Sequence, residues 1–188
     1  MDRFSPKPFV DAARAAFPVA QRDMADDAIR SLAPLVDDTY RQRSIGFDVL
    51  GQSVRLPTRL HFPNLSPGDE RLHRLPPSAL CLVSRSNDGF LRQRAVTAIL
   101  RVQSEWVAPF VVTLLGEYVV EVAEVICDGL PGFDQALYGS FVRENRTAVR
   151  TIRARATSYW NAYYRDRFPE KRDYPALKAL HQIERWAA

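Results

Sequence analysis

Residues 80–130, LCLVSRSNDGFLRQRAVTAILRVQSEWVAPFVVTLLGEYVVEVAEVICDGL, constrain this chain most: apolar density peaks there and two helix-stop-helix signals follow one another. An apolar run broken by capping and turn residues folds as short helices packed on one another, so this segment is the expected core. Its most membrane-like part, residues 106–126, contains Pro109, Glu117, Glu121 and Glu124. Carboxylates at that depth oppose a bilayer span, and no membrane is expected as a partner. The N-terminus places Asp2, Arg3, Lys7 and the punctuating Pro6 and Pro8 before any apolar run, which does not fit a signal peptide. Cys81 and Cys127 lie in apolar surroundings without paired spacing, so free thiols and a reducing, cytoplasmic setting are expected.

Before the core, the pattern is helical and then alternating. Phe9, Val10, Ala13, Ala16 and Phe17 recur at helical spacing up to Pro18; Met24, Ala28, Ile29 and Leu32 repeat it before Pro34 and the Asp37-Asp38 pair. From 45 to 62 the period becomes two: Ile45, Phe47 and Val49, then Leu50-Gly51-Gln52-Ser53, then Val54 and Leu56. This predicts a β-hairpin with glycine in its turn, and Pro57 makes its second strand an edge or ends it. Two strands are marginal alone, so the hairpin must lie on the helices, as a cover or as a projection toward a partner. Residues 63–77, with Pro63, Pro67, Gly68, Pro76 and Pro77, read as a connector.

In the core, Pro76-Pro77 can open a short helix, and Asn87 or Asp88 caps the next. The buried stripe of that helix is Leu91, Ala95, Ala98 and Ile99, with Arg92, Gln93, Arg94 and Arg101 off it. Ser104 and Pro109 permit a helix from Glu105; Gly116 ends it or is absorbed in a longer one. Further helices are expected over 134–144, from 146 to about 165, and after an Asp173 cap, where Leu177, Leu180, Ile183 and Trp186 form the apolar side. A length of 188 residues suits a single domain, divided into N-terminal helices plus hairpin (1–62), connector (63–77) and helical core (78–188).

Asp88, Gly89, Arg92, Ala95 and Ile99 match the turn and second helix of a HEAT-type repeat, and the segment around them resembles that family. A second unit follows over 106–130, with Glu121 and Glu124 where basic residues would be expected. The whole chain is also similar to bacterial proteins of unassigned function that share the hairpin, the apolar centre and an aromatic C-terminal helix, a similarity that implies no activity. The expected fold is therefore mainly α: packed helix pairs, HEAT-like or an irregular helical bundle, with one small β-hairpin.

Charge is segregated. Residues 102–142 carry acidic residues and no basic one, whereas 143–188 are strongly basic. Glu117, Glu121 and Glu124 follow i, i+4, i+7 spacing, and Arg146, Arg150 and Arg153 repeat it downstream, so antiparallel packing would set Glu117 on Arg153, Glu121 on Arg150 and Glu124 on Arg146. These six residues are the expected contact surface for a protein partner or a second copy of the chain. The alternative is nucleic acid, read by Arg153, Arg155, Trp160, Tyr164, Arg165 and Arg167, since phosphate neutralisation and base stacking need basic and aromatic side chains together. The acidic pairs and the glutamate stripe do not read as metal sites, because His61, His73 and His181 are the only histidines and none has ligand spacing. With no nucleophile elbow, phosphate loop or histidine cluster, no catalytic residue and no cofactor are expected, and the chain reads as a non-enzymatic binding or adaptor protein.

Overall fold

The computed structural model describes residues 8–37 and 43–188. Pro6 and Asp38, both expected boundary marks, lie outside them. The described residues form helices α1 (Pro8–Ala15) and α2 (Arg22–Leu32), strands β1 (Ser44–Val49) and β2 (Gln52–Pro57), and then helices α3 to α9. These are α3 (Pro77–Val83), α4 (Gly89–Ile99), α5 (Ala108–Leu114), α6 (Val120–Gly129), α7 (Gln135–Glu144), α8 (Arg146–Tyr159) and α9 (Pro175–Trp186). The protein is mainly helical, built of packed helix pairs with one small antiparallel sheet. Among the described residues no helix is long and apolar enough to cross a membrane. Cys81 is buried, Cys127 half-buried, and both are free.

Side-chain capping sets two of the helix starts. The Asp88 carboxylate accepts from the amides of Phe90 and Leu91 at 2.7 and 3.2 Å, and Asp134 accepts from Leu137 at 3.0 Å, meeting donors that a helix leaves unsatisfied. Helix α5 begins at Ala108 rather than 105, which puts Pro109 in the first turn, where its missing amide costs no helical bond. Likewise Pro175 opens α9 and leaves Tyr174 at the cap position with no side-chain bond, so Asp173 is not the cap.

Every residue of α5 is buried, and the Thr113 hydroxyl donates to the Pro109 carbonyl at 2.6 Å. A helix apolar on all sides belongs at the centre. Helices α7 and α8 pack on α5, α9 packs on α6, α7 and α8, and α3 and α4 pack on one another. One continuous apolar cluster runs from Phe9 to Ile183 and includes Phe47, Val49, Val54 and Leu56 of the hairpin.

Between α5 and α6 the chain breaks at Gly116. A Cβ there would lie 3.0 Å from Ile152 Cγ2 and 3.3 Å from the Ile152 backbone, so α8 crosses this turn closely enough that a side chain at 116 would push it back by a few tenths of an ångström. Glu117 therefore sits in the turn, ahead of α6.

The hairpin closes through a two-residue turn with φ +53° at Leu50 and +71° at Gly51. Positive φ at both positions is the turn whose twist matches that of the strands. In the register, Ile45 faces Leu56 and Phe47 faces Val54; the Thr58 amide donates to the Arg43 carbonyl at 2.8 Å, which fixes the alternation of bonded pairs. Ser44, Gly46 and Asp48 consequently turn their amides and carbonyls to the outer edge of β1. Pro57 lies opposite Ser44, at an outward-facing position where a missing amide removes no ladder bond.

Candidate functional site

Two groups of arginines define the chemistry of this fold. The first surrounds Glu117, which is only 2% exposed. Its carboxylate meets Arg59 Nη1 at 2.7 Å, Arg85 Nη1 at 2.9 Å and Arg92 Nε at 3.1 Å. The Arg59 approach is a hydrogen bond, while the Arg85 and Arg92 atoms meet the carboxylate off the hydrogen-bonding directions. Arg85 and Arg92 also hold backbone, although Arg92 Nη2 makes no hydrogen bond among the described residues. Arg85 Nε and Nη2 donate to the Pro57 and Thr58 carbonyls at 3.0 and 2.8 Å, and Arg92 Nη1 donates to those of Ser86 and Asn87 at 2.7 and 3.0 Å. Burial pushes the Glu117 carboxyl up, but Arg85, Arg59 and Arg92 together outweigh it and hold the group below the ordinary carboxylate range. Burial in turn pulls Arg85 down.

With Arg85 and Arg92 bonding carbonyls of 57, 58, 86 and 87 as well as meeting Glu117, the cluster is a clasp. It joins the end of β2, the α3–α4 junction and the turn after α5. Three corrections follow. Arg92, expected off the buried stripe, is inside. Glu117, expected at a contact surface, is not on one. The glutamate spacing is not realised on one helix, because α6 starts after Glu117.

The expected stripe-to-stripe pairing is absent among the described residues. Glu124 bonds Arg167, Arg153 bonds Glu184 of α9, and Glu121 is exposed. Sequence spacing fixed which residues could share a face, but Arg153 faces α9 rather than α6.

The second group is left open. Arg143, Arg146, Arg150 and Arg155 make no ion pair among the described residues. Three of them, Arg143, Arg146 and Arg155, line a groove of about 590 Å³ whose walls come from β1 and α8. Asn145, 6% exposed, forms its inner corner. Its carboxamide accepts from the Asp48 amide and donates to the Asp48 carbonyl, both at 2.8 Å, and also donates to the Phe141 carbonyl at 2.9 Å. The side chain thus takes both backbone groups of one outward-facing β1 residue, as a neighbouring strand would.

Two aromatics of the C-terminal run, Trp160 and Tyr164, are half-buried and bonded to other segments of the molecule. Helix α8 ends in a π-helical turn over Trp160–Tyr164. Trp160 Nε1 donates to the Phe168 carbonyl at 2.8 Å, Tyr164 donates to the Tyr118 carbonyl and stacks on Tyr174, and Arg165 lies 5.4 Å over the Trp160 ring. Tyr163, which the nucleic-acid set leaves out, is 72% exposed.

Comparisons of this chain with protein-family models, with curated proteins and with solved structures find no match. Fold and site together define a helical domain that carries an open basic groove beside an edge strand. Sequence reasoning missed Arg59, Arg85 and Asn145. The available signal was Glu117 itself, flanked by Leu114-Leu115-Gly116 and Tyr118-Val119-Val120, where a buried carboxylate has to be paired.

Proposed function

We propose that the protein is a non-enzymatic binding or adaptor protein that recognises an acidic protein partner through the basic surface of α7 and α8. The observation that carries this reading is that Arg143, Arg146, Arg150 and Arg155 make no ion pair among the described residues, three of them lining the groove beside β1 and Arg150 lining a second one with Arg146, in a molecule whose buried arginines meet a carboxylate and carbonyls. Unpaired like charges around a concavity attract an oppositely charged surface and raise its association rate. Glu121 supplies an exposed acidic contact on another element, whereas Glu117, Glu124 and Arg153 are used internally.

The test is affinity capture from the native cell, followed by binding of the purified partner to wild type and to an R146E/R150E/R155E variant. A loss of about tenfold or more that grows at low salt supports the reading; equal binding by the variant sinks it. Nucleic acid is the weaker reading, because Arg153, Trp160, Tyr164 and Arg167, four of the six residues it needs, are held by Glu184, Phe168, Tyr118 and Glu124. Arg155 and the exposed Tyr163 are what support it, and tight salt-dependent binding of a dT12 oligonucleotide would favour it.

A further inference from the structure

We propose that the outer edge of β1 takes an extended acidic segment of the partner as a third strand, seated between β1 and α8. This rests on the reading of the basic groove as the partner site and names the form of what it binds. The carboxamide of Asn145 already occupies the backbone of Asp48 in the manner of a strand residue. The next outward-facing residues along the edge are Gly46 and Ser44. Both are exposed, and neither backbone has an outer partner among the described residues. Gly46 has no side chain to hold an incoming backbone away.

Ala148, Thr151 and Ile152 of α8 also line the groove. Arg146 and Arg155 line it from the same helix, nine residues apart, about 13 Å at the helical rise. A strand of about four residues spans that length. Acidic side chains at the ends of such a segment would meet Arg146 and Arg155, and Arg143 adds to the excess over Asp48 and Glu144. Unpaired edge amides select a peptide over a nucleic acid, because a sugar-phosphate chain cannot continue the ladder. Strand addition of this kind draws affinity from main-chain bonds and specificity from side-chain contacts.

The probe is a capped six-residue peptide of alternating valine and threonine with glutamate at each end, titrated while the Ser44 and Gly46 amides are followed by NMR. Binding should shift these two amides most. N-methylating the peptide amides that face β1, replacing its glutamates with lysine, or using the R146E/R155E variant should each weaken it about tenfold. A circular-dichroism melt confirms that the variant is folded. If the N-methylated peptide binds equally while R146E/R155E abolishes binding, strand addition is wrong and the basic-surface reading survives. If no acidic peptide binds and charge reversal changes nothing, both fail. Preferential binding of dT12 in the groove, or a concentration-dependent dimer that protects Gly46, overturns the proposal by assigning the edge to another occupant.

Discussion

Arg85 and Arg92 at the α3–α4 junction and Arg146 and Arg155 on α8 are the same residue type in opposite situations. The first two are 1% exposed and meet a carboxylate and backbone carbonyls; of the second two Arg146 is exposed and Arg155 half-buried, and neither holds a carboxylate among the described residues. The difference teaches that local sequence does not decide an arginine's role here. Arg92 sits between Leu91 and Gln93 in a helix of weak amphipathicity, and Arg155 sits between Ala154 and Ala156, in surroundings no more polar. What separates them is Glu117, delivered into the interior by a turn that Gly116 allows α8 to cross. One buried carboxylate recruits three guanidiniums; where no carboxylate arrives, the guanidinium stays outside.

The largest expected effect breaks the buried side of this contrast. Replacing Glu117 with alanine leaves Arg85 and Arg92 buried without their counter-charge and should cost about 3–5 kcal/mol, read as a lower urea midpoint. Replacing Glu117, Arg85 and Arg92 together with leucine and methionine should cost far less than E117A alone. If the triple replacement is the worse, the clasp is a source of net stability rather than a matched set.

Acid should find the same place. The folded pKa of Glu117 is depressed, so its contribution is fully present above the unfolded value of about 4.3 and is lost as pH falls through the folded value. Wild type should therefore lose Tm more steeply than E117Q as pH is lowered from about 5 toward 3, although E117Q starts lower at neutral pH. Parallel slopes would mean that Glu117 gains nothing from its arginines.

Asn145 stands between the two regions. Asn145→Ala removes the bonds to Asp48 and the Phe141 carbonyl and should cost about 1–3 kcal/mol, with faster amide exchange at Asp48. Unchanged exchange would show that apolar packing alone holds the hairpin. The smallest stability effect belongs to the open arginines: R146E/R155E should change stability by no more than about 0.5 kcal/mol per substitution while weakening partner binding about tenfold. A large loss of Tm would show that the open group is structural as well.

Much of the architecture could be read from the residues, because its signals are local. The period change at Ile45, the glycine in the hairpin turn and the Asp88 cap each act within a few positions, and each forms in the structure. The boundary before α6 was legible only as a choice at Gly116, since α8, which settles it, passes from 36 residues further on at Ile152. The site was less legible. Arg59 and Glu117 are separated by 58 positions, and Asp48 and Asn145 by 97. Spacing along one helix could suggest that Glu117, Glu121 and Glu124 share a face, but not that the first precedes the helix. The nucleic-acid alternative drew Trp160 and Tyr164 from the aromatic run, and the π-helical turn there places both in bonds to backbone carbonyls of Phe168 and Tyr118.

The reach between Asp48 and Asn145 also bears on how the chain is made. During vectorial synthesis the hairpin leaves the ribosome long before the residue that clasps its edge, and long-range contacts of this kind form late because a large loop must close first. Until Asn145 emerges, Asp48, Gly46 and Ser44 together present an unguarded strand edge, a template for pairing with other nascent chains. A fragment ending just before Asn145 should therefore aggregate through its hairpin, and the edge proposed for recognition in the finished protein is a hazard in the unfinished one.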